Sequence, residues 1–252
     1  MFRDANMKRL TILALAAPLA ALPAFADNPP KAWTGEGVFG AGVTTGNTDT
    51  EDLGVALRAK HTGTFWSQSA ELTADYGETD DVATKQRYSA ALQADFLFGE
   101  HASSFGRFTW ERDEFSGFDN RYFIGAGLAY KVLTQPDTTW TVQGGPGYRI
   151  DEIRAAPTAV PPTQAANEQS FGASAGSHFQ HKFNPNVALT NDTDVTYSKT
   201  STQYKNGLAL TFDIMGDLQA RISYDIRHET DPLPGFKAND TQSKFSLVYK
   251  VG

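Results

Sequence analysis

Five basic side chains pose the chemical question in this chain: Lys85, Arg87, Arg107, Arg121 and Arg149. Each lies in a segment where charged or small residues alternate with apolar ones. Six carboxylates fall in the same phase of such segments: Glu71, Asp75, Glu111, Asp192, Asp194 and Asp225. Gathered in one confined space, these residue types support two kinds of chemistry. They can neutralise one another as a salt-bridge network that fills the space. They can also form a basic wall facing an acidic wall, the arrangement that filters ions in a narrow pore. The sequence predicts such a lumen-lining cluster and leaves both uses open.

Other chemistries find little support. There is no cysteine, hence no thiolate ligand or nucleophile. His178 and His181 are three apart in a strand-like stretch, so they point to opposite faces and share no metal simply. His61 and His101 fall in expected turns. A lipid-modifying enzyme needs a serine and a histidine paired mid-strand on the apolar face, and no histidine stands there; His228 is near an expected rim. The expectation is no catalytic residue, no metal and no cofactor.

The elements that must carry these residues are strands. Alternating segments run over 33–45, 52–60, 65–77, 84–98, 102–112, 120–130, 140–150, 170–180, 187–197, 204–214, 217–228 and 241–251. Period-two alternation over about ten residues is the signature of a strand with one apolar face. Twelve is even, as in single-chain bacterial outer-membrane barrels. One phase holds residues such as Leu53, Val55, Leu57, Leu72, Leu92, Ile124, Leu128, Leu208, Ile222 and Leu247 and carries no charge. The other holds the two clusters together with Glu36, Arg58, Lys205, Arg221, Arg227 and Lys244.

A soluble sandwich shows the same alternation, but three features favour a membrane barrel. Aromatics such as Trp33, Trp66, Tyr76, Tyr130, Tyr204 and Tyr249 sit near strand ends on the apolar face, where interfacial girdles form. That face is rich in Gly and Ala, which lipid accepts and a packed core does not. The connections alternate between a mostly short set and a longer, more acidic one, the longest being 151–169. The fold class read from this is all-β: a transmembrane antiparallel up-and-down barrel of about twelve strands. Asp49, Glu51, Asp52, Glu78, Asp80, Asp81, Asp113, Glu114, Asp119, Asp151 and Glu152 are assigned to the outer loops. There they make a self-repelling rim, or bridge divalent cations to lipopolysaccharide phosphates.

The N-terminus supplies an address. Lys8 and Arg9 precede an apolar stretch from Leu10, and Ala24-Phe25-Ala26 offers a small-x-small cleavage site. Residues 1–26 therefore read as a secretory signal peptide and 27–252 as the barrel domain. Removing 1–26 takes Arg3, Asp4, Lys8 and Arg9 with it and leaves 19 basic against 28 acidic residues, a net of −9. Nucleic acid, which demands a basic face, is not an expected partner.

Two stretches carry a family likeness: WTGEGVFGAGVTTGNTDTEDL from Trp33, and DEFSGFDNRYFIGAGLAYKVL over 113–133. With Gly46-Asn47-Thr48 and the Phe115-Ser116-Gly117 turn leading to Asp119 and Arg121, the chain resembles the YdiY-type salt-induced outer membrane protein family, a bacterial domain of unknown function. The resemblance covers nearly the whole mature chain. It implies an outer-membrane barrel and brings no ligand, reaction or catalytic residue. One departure is the C-terminus, which ends on Gly252 where outer-membrane strands commonly end in an aromatic residue read by the assembly machinery.

Three functional expectations follow. The first is a passive channel for small polar or ionic solutes. The second is a closed barrel supporting the envelope under osmotic or salt stress, as the family's name implies. The third and weakest is a lipid-modifying enzyme. Expected partners are outer-membrane lipid and lipopolysaccharide, and the barrel-assembly machinery during biogenesis.

Overall fold

The computed structural model describes residues 33–46, 50–79, 82–155 and 157–252. The signal segment 1–26 lies outside them, as do Asp49, Asp80 and Asp81. The described residues form twelve strands: β1 (Trp33–Thr45), β2 (Thr50–Thr62), β3 (Trp66–Thr79), β4 (Val82–Leu97), β5 (Ala102–Asp113), β6 (Phe118–Thr134), β7 (Thr138–Ile153), β8 (Ala166–Asn184), β9 (Val187–Ser198), β10 (Thr202–Met215), β11 (Leu218–Glu229) and β12 (Asn239–Val251). Each pairs antiparallel with its sequence neighbours, and β1 pairs with β12 to close the ring. Gly37 faces Tyr249, and Ala41 faces Phe245, across that seam. Closure leaves no unpaired edge, the condition for a sheet in hydrocarbon.

Burial runs opposite to that of a soluble domain. Leu57, Leu72, Leu128, Ile124, Ile222 and Leu208 are exposed on the outside, while the buried set is dominated by polar and charged groups such as Asp52, Lys85, Glu111, Asp113, Arg149 and Asp151. The apolar interior is small: Phe105, Phe123, Ala129, Ile153 and Val248. An outer face this apolar is stable only against lipid. Trp33, Trp66, Tyr76, Tyr130, Tyr204 and Tyr249 are exposed close to strand ends, the placement of an interfacial girdle.

The start of β1 and the end of β12 lie at one end of the barrel. The connections there are uniformly short: 63–65, 98–101, 135–137, 185–186 and 216–217. This is the turn end. At the loop end the imbalance expected from the sequence is confined to two connections, 154–165 and 230–238; the others, such as 80–81 and 199–201, are as short as the turns. The long connection itself is trimmed, because β7 continues to Ile153 and β8 starts at Ala166, against the expected 151–169. His61 lies in β2 and not in a turn; its ring bonds Gln68 and stacks on Trp33. His101 does occupy a turn.

The 230–238 connection is folded by its own sequence. Leu233-Pro234-Gly235-Phe236 closes a β-turn with the Phe236 N–H donating to the Leu233 carbonyl at 3.0 Å, and Gly235 takes φ +91°. Proline followed by glycine at the two central positions is the chemistry of that turn. Its apolar tip rests on the β5–β6 connection at Gly117, where φ is +48° and a Cβ would stand 2.7 Å from Phe236 and 2.8 Å from Leu233.

Candidate functional site

Ion pairs between strands that are not neighbours must cross the interior, and they define the site. Glu111 on β5 is its centre. One carboxylate oxygen accepts from Arg227 on β11, and the other accepts from Lys205 Nζ on β10 at 2.7 Å. In a ring of twelve, β5 and β11 are opposite strands, so this pair spans the full width of the barrel. Arg107 on β5 reaches Asp194 on β9 at 2.5 Å. Arg121 on β6 donates to Glu229 on β11 at 2.8 Å. Arg149 on β7 donates to Asp151 two residues on at 2.9 Å and stands 3.5 Å from Glu229. Ser201, between β9 and β10, donates to the other oxygen of Glu229 at 2.5 Å.

A second knot holds the β1–β4 wall. Lys85 on β4 donates to Asp52 at 3.0 Å and to Thr44 at 2.9 Å, and Gln242 on β12 also donates to Asp52 at 2.5 Å. Lys244 on β12 is paired with Asp75 on β3. Arg87 on β4 holds Asp113 at 2.5 Å and stands 3.8 Å from Asp240 on β12. Towards the turn end, Arg58 bridges Glu36 and Glu71, and Arg221 donates twice more to Glu36.

The five predicted basic residues therefore all meet carboxylates, but mostly not the predicted ones. Only Arg107 pairs with a member of the acidic set, Asp194. Glu71 serves Arg58, Asp75 serves Lys244, Asp192 serves His178, and Asp225 accepts from Ser223 at 3.2 Å. The picture of a basic wall facing an acidic wall is corrected: Glu111, Asp113 and Asp151 share the β4–β7 wall with the five bases, while Lys205, Arg221, Arg227 and Lys244 stand opposite among acids. Alternating signs within each wall let every charge find a short-range partner.

The partners missed from sequence are Asp52, Asp113, Asp151, Glu229 and Asp240. The first three were assigned to outer loops. The structure puts them inside strands and buries them, with the Asp52 side chain fully shielded. The signal that finds them is the alternation carried one step further. Asp113 follows Glu111 by two, Asp151 follows Arg149 by two, and Glu229 follows Arg227 by two, so each keeps the inward phase of its strand.

The two halves of the interior differ. The Lys85, Arg149 and Asp113 side chains near the loop end are at most 4 % exposed. Deeper towards the turn end, the paired His178 and Asp192 side chains are 55 % and 60 % exposed. The loop-end half is occupied by its ion pairs; the exposed His178–Asp192 pair lies below them, and nearer the turn end Phe105, Ala129, Gln219 and Val248 are again buried.

At the loop-end rim, a surface cluster ties the ends of β5 and β6 to the β7–β8 connection. Arg112 and Arg154 both bond the Glu114 carboxylate, and Arg154 also donates to Asp119 at 2.7 Å. The Arg112 hydrogen bond, more than burial opposes it, holds the Glu114 carboxyl below the usual carboxylate range.

Comparison with known proteins follows the geometry. In fold the barrel resembles the NanC porin (TM-score 0.56, 11% identity, 85% of this chain and 100% of that one). It resembles an outer membrane channel from Pseudomonas putida F1 (0.53, 9%, 89% and 100%). It also resembles the translocator domain of the autotransporter NalP from Neisseria meningitidis (0.53, 12%, 86% and 88%). At these identities the likeness is one of fold, that of an outer-membrane β-barrel. In sequence the chain is 22% identical over 224 residues to the uncharacterized protein YdiY of Escherichia coli (strain K12), covering 86% of this chain and 83% of that one. The family described as "Protein of unknown function, DUF481" matches residues 38–251, and the chain belongs to that family.

Proposed function

We propose that the protein is an integral outer-membrane barrel that serves as a narrow channel for small polar or ionic solutes, closed in its outer, loop-end half by ion pairs. The observation that carries this reading is the single carboxylate of Glu111, held by Arg227 from the opposite strand and by Lys205 beside it. Ion pairs that span the width obstruct a path, yet each is a non-covalent contact that can part. Below them the exposed His178–Asp192 pair supplies a polar stretch of the path. The barrels it resembles in fold include a porin and a channel, which agrees with a non-enzymatic role.

Export by cleavage after residue 26 and insertion by the assembly machinery belong to the same proposal. So do contact with lipid around the apolar belt and with lipopolysaccharide at the loop end. The test is single-channel recording of the refolded full chain in planar bilayers. The parent is expected to conduct in rare, small steps, and Glu111→Gln/Arg227→Gln to spend more time open. If neither conducts above the bare bilayer, the channel reading is wrong. The second reading then stands: the same ion pairs brace a closed barrel whose role is envelope integrity.

A further inference from the structure

We propose that the recess beneath the β11–β12 connection is a binding site for a small organic anion that carries an apolar ring or chain. The recess is shallow and open at the loop end, so that a ligand seated in it keeps one side in solvent. Its floor is made by Arg87, Arg121 and Arg227, from β4, β6 and β11. Its roof and side are apolar: Phe118 at the start of β6, and Leu233 and Phe236 from the turn described above.

Three features of the recess point to this ligand class. The first is the density of cations. Arg87, Arg121, Arg227 and Lys237 line one small space beside two acids, Glu229 and Asp240. Glu111 and Asp113, directly behind Arg227 and Arg87, bring the region to charge balance, so the draw on an anion is the local guanidinium donors and not net charge. The second is an incomplete donor. The Arg121 side chain is nine-tenths buried, and only Nη1 has a hydrogen-bond acceptor, Glu229. Its Nε stands 3.6 Å from Asp151, beyond hydrogen-bond reach, and neither Nε nor Nη2 has an acceptor. Buried guanidinium N–H groups left without acceptors are costly, and a carboxylate matches their fork in shape. The third is the aromatic surface. The Arg121 guanidinium lies 3.4 Å above the Phe118 ring centre, which fixes its plane, and Phe236 faces the same space from the roof. A carboxylate on the arginine floor and a ring under Phe236 use both halves of the recess.

This inference does not depend on whether the barrel conducts, so its test reads binding alone. The full chain, refolded in detergent micelles, is titrated with 4-fluorobenzoate and followed by fluorine NMR, with empty micelles as the blank and 4-fluorobenzylamine, acetate and inorganic phosphate as comparison probes. Saturable one-to-one binding of fluorobenzoate is expected, with the amine not binding and acetate binding at least tenfold more weakly. Arg121→Gln and Phe236→Ala are each expected to weaken fluorobenzoate binding tenfold or more. Phe236 lies in a loop outside the strands, so that variant keeps the test valid if Arg121→Gln does not refold. No saturable binding, equal binding of the amine, or unchanged affinity in Phe236→Ala overturns the proposal. Phosphate binding as tightly as fluorobenzoate does so too, because it removes the apolar half of the site.

Discussion

Replacing Glu111 by glutamine tests the cross-barrel pairing most directly. The change keeps the shape and removes the charge that faces both Arg227 and Lys205. Removing one partner of a buried ion pair costs roughly 3–5 kcal/mol. The lower end applies here, about 3 kcal/mol, because the Arg227 and Lys205 side chains are 20 % and 40 % exposed and water screens part of what they lose. Arg227→Gln is milder, about 1.5 kcal/mol, the lower end for a hydrogen bond to a charged group, since Glu111 keeps Lys205. If the two residues meet across the barrel, the double variant costs about 1–2 kcal/mol less than the two single costs together, within the ~0.5–3 kcal/mol seen for residues in contact. Reversible urea unfolding in lipid vesicles, followed by tryptophan fluorescence, gives all four free energies of the cycle. Costs that add to within about 0.5 kcal/mol would refute the pairing. The wall would then be held by strand pairing alone.

The alternation of faces predicts that Leu208→Arg, on the exposed side of β10, costs roughly 2–4 kcal/mol in a bilayer near the midplane. Ala209→Arg, one residue on and facing the interior, is expected to cost less, and equal unfolding free energies would reverse the inside–outside assignment. Gly117→Ala forces an L-residue to φ +48° and crowds Phe236 and Leu233, at about 1–2 kcal/mol for the left-handed conformation. The loop above is expected to lift, so trypsin should cut after Lys237 faster than in the parent; an unchanged rate counts against the contact. The Glu114 carboxyl is held below its unfolded value, so its contribution is present above the ordinary glutamate range and lost as pH falls through the folded value. The stability gap between parent and Glu114→Gln should therefore close as pH falls below the ordinary glutamate range, and a gap that stays constant on acidification would show that charge on Glu114 is not its source.

Much of the architecture was legible because period-two alternation is dictated by the pleat. Leu53, Val55 and Leu57 could not share a face with Arg58 in any strand, and the membrane then decides which face is outside. The limits of the strands were less legible. Asp52, Asp113, Asp151 and Glu229 are charged residues beside turn-forming sequence, and composition alone places such residues in loops. They sit in strands because each has a cation within reach on another strand, a tertiary fact that propensity does not contain. The same limit explains the pairings. Phase shows that Arg121 and Glu111 both point inward, but which acid meets which base depends on stagger around the ring. That stagger gives Arg121 to Glu229 and Glu111 to Arg227.

The reach of Arg227 to Glu111 also depends on what does not fill the space between them. The interior-facing positions of β6, β7 and β8 include Gly125, Gly127, Gly145, Gly147, Gly172 and Gly176, and those of β1 and β2 include Gly40, Gly42 and Gly54; the Phe123 ring covers Gly125 and Gly147, Gln143 covers Gly176, and Lys244 covers Gly42 and Gly54. A twelve-stranded ring is wider than the eight-stranded barrels whose side chains just fill the interior, so long side chains must reach across it. They come from β4, β5, β10, β11 and β12, and from the glycine-bearing strands too, as Arg121 on β6 and Arg149 on β7. The missing Cβ atoms of these glycines make the room that the Phe123 ring and the Lys244 arm occupy, so glycine and long charged side chain are two parts of one packing solution: a Cβ at Gly54 would stand 2.7 Å from the Lys244 Nζ that pairs with Asp75.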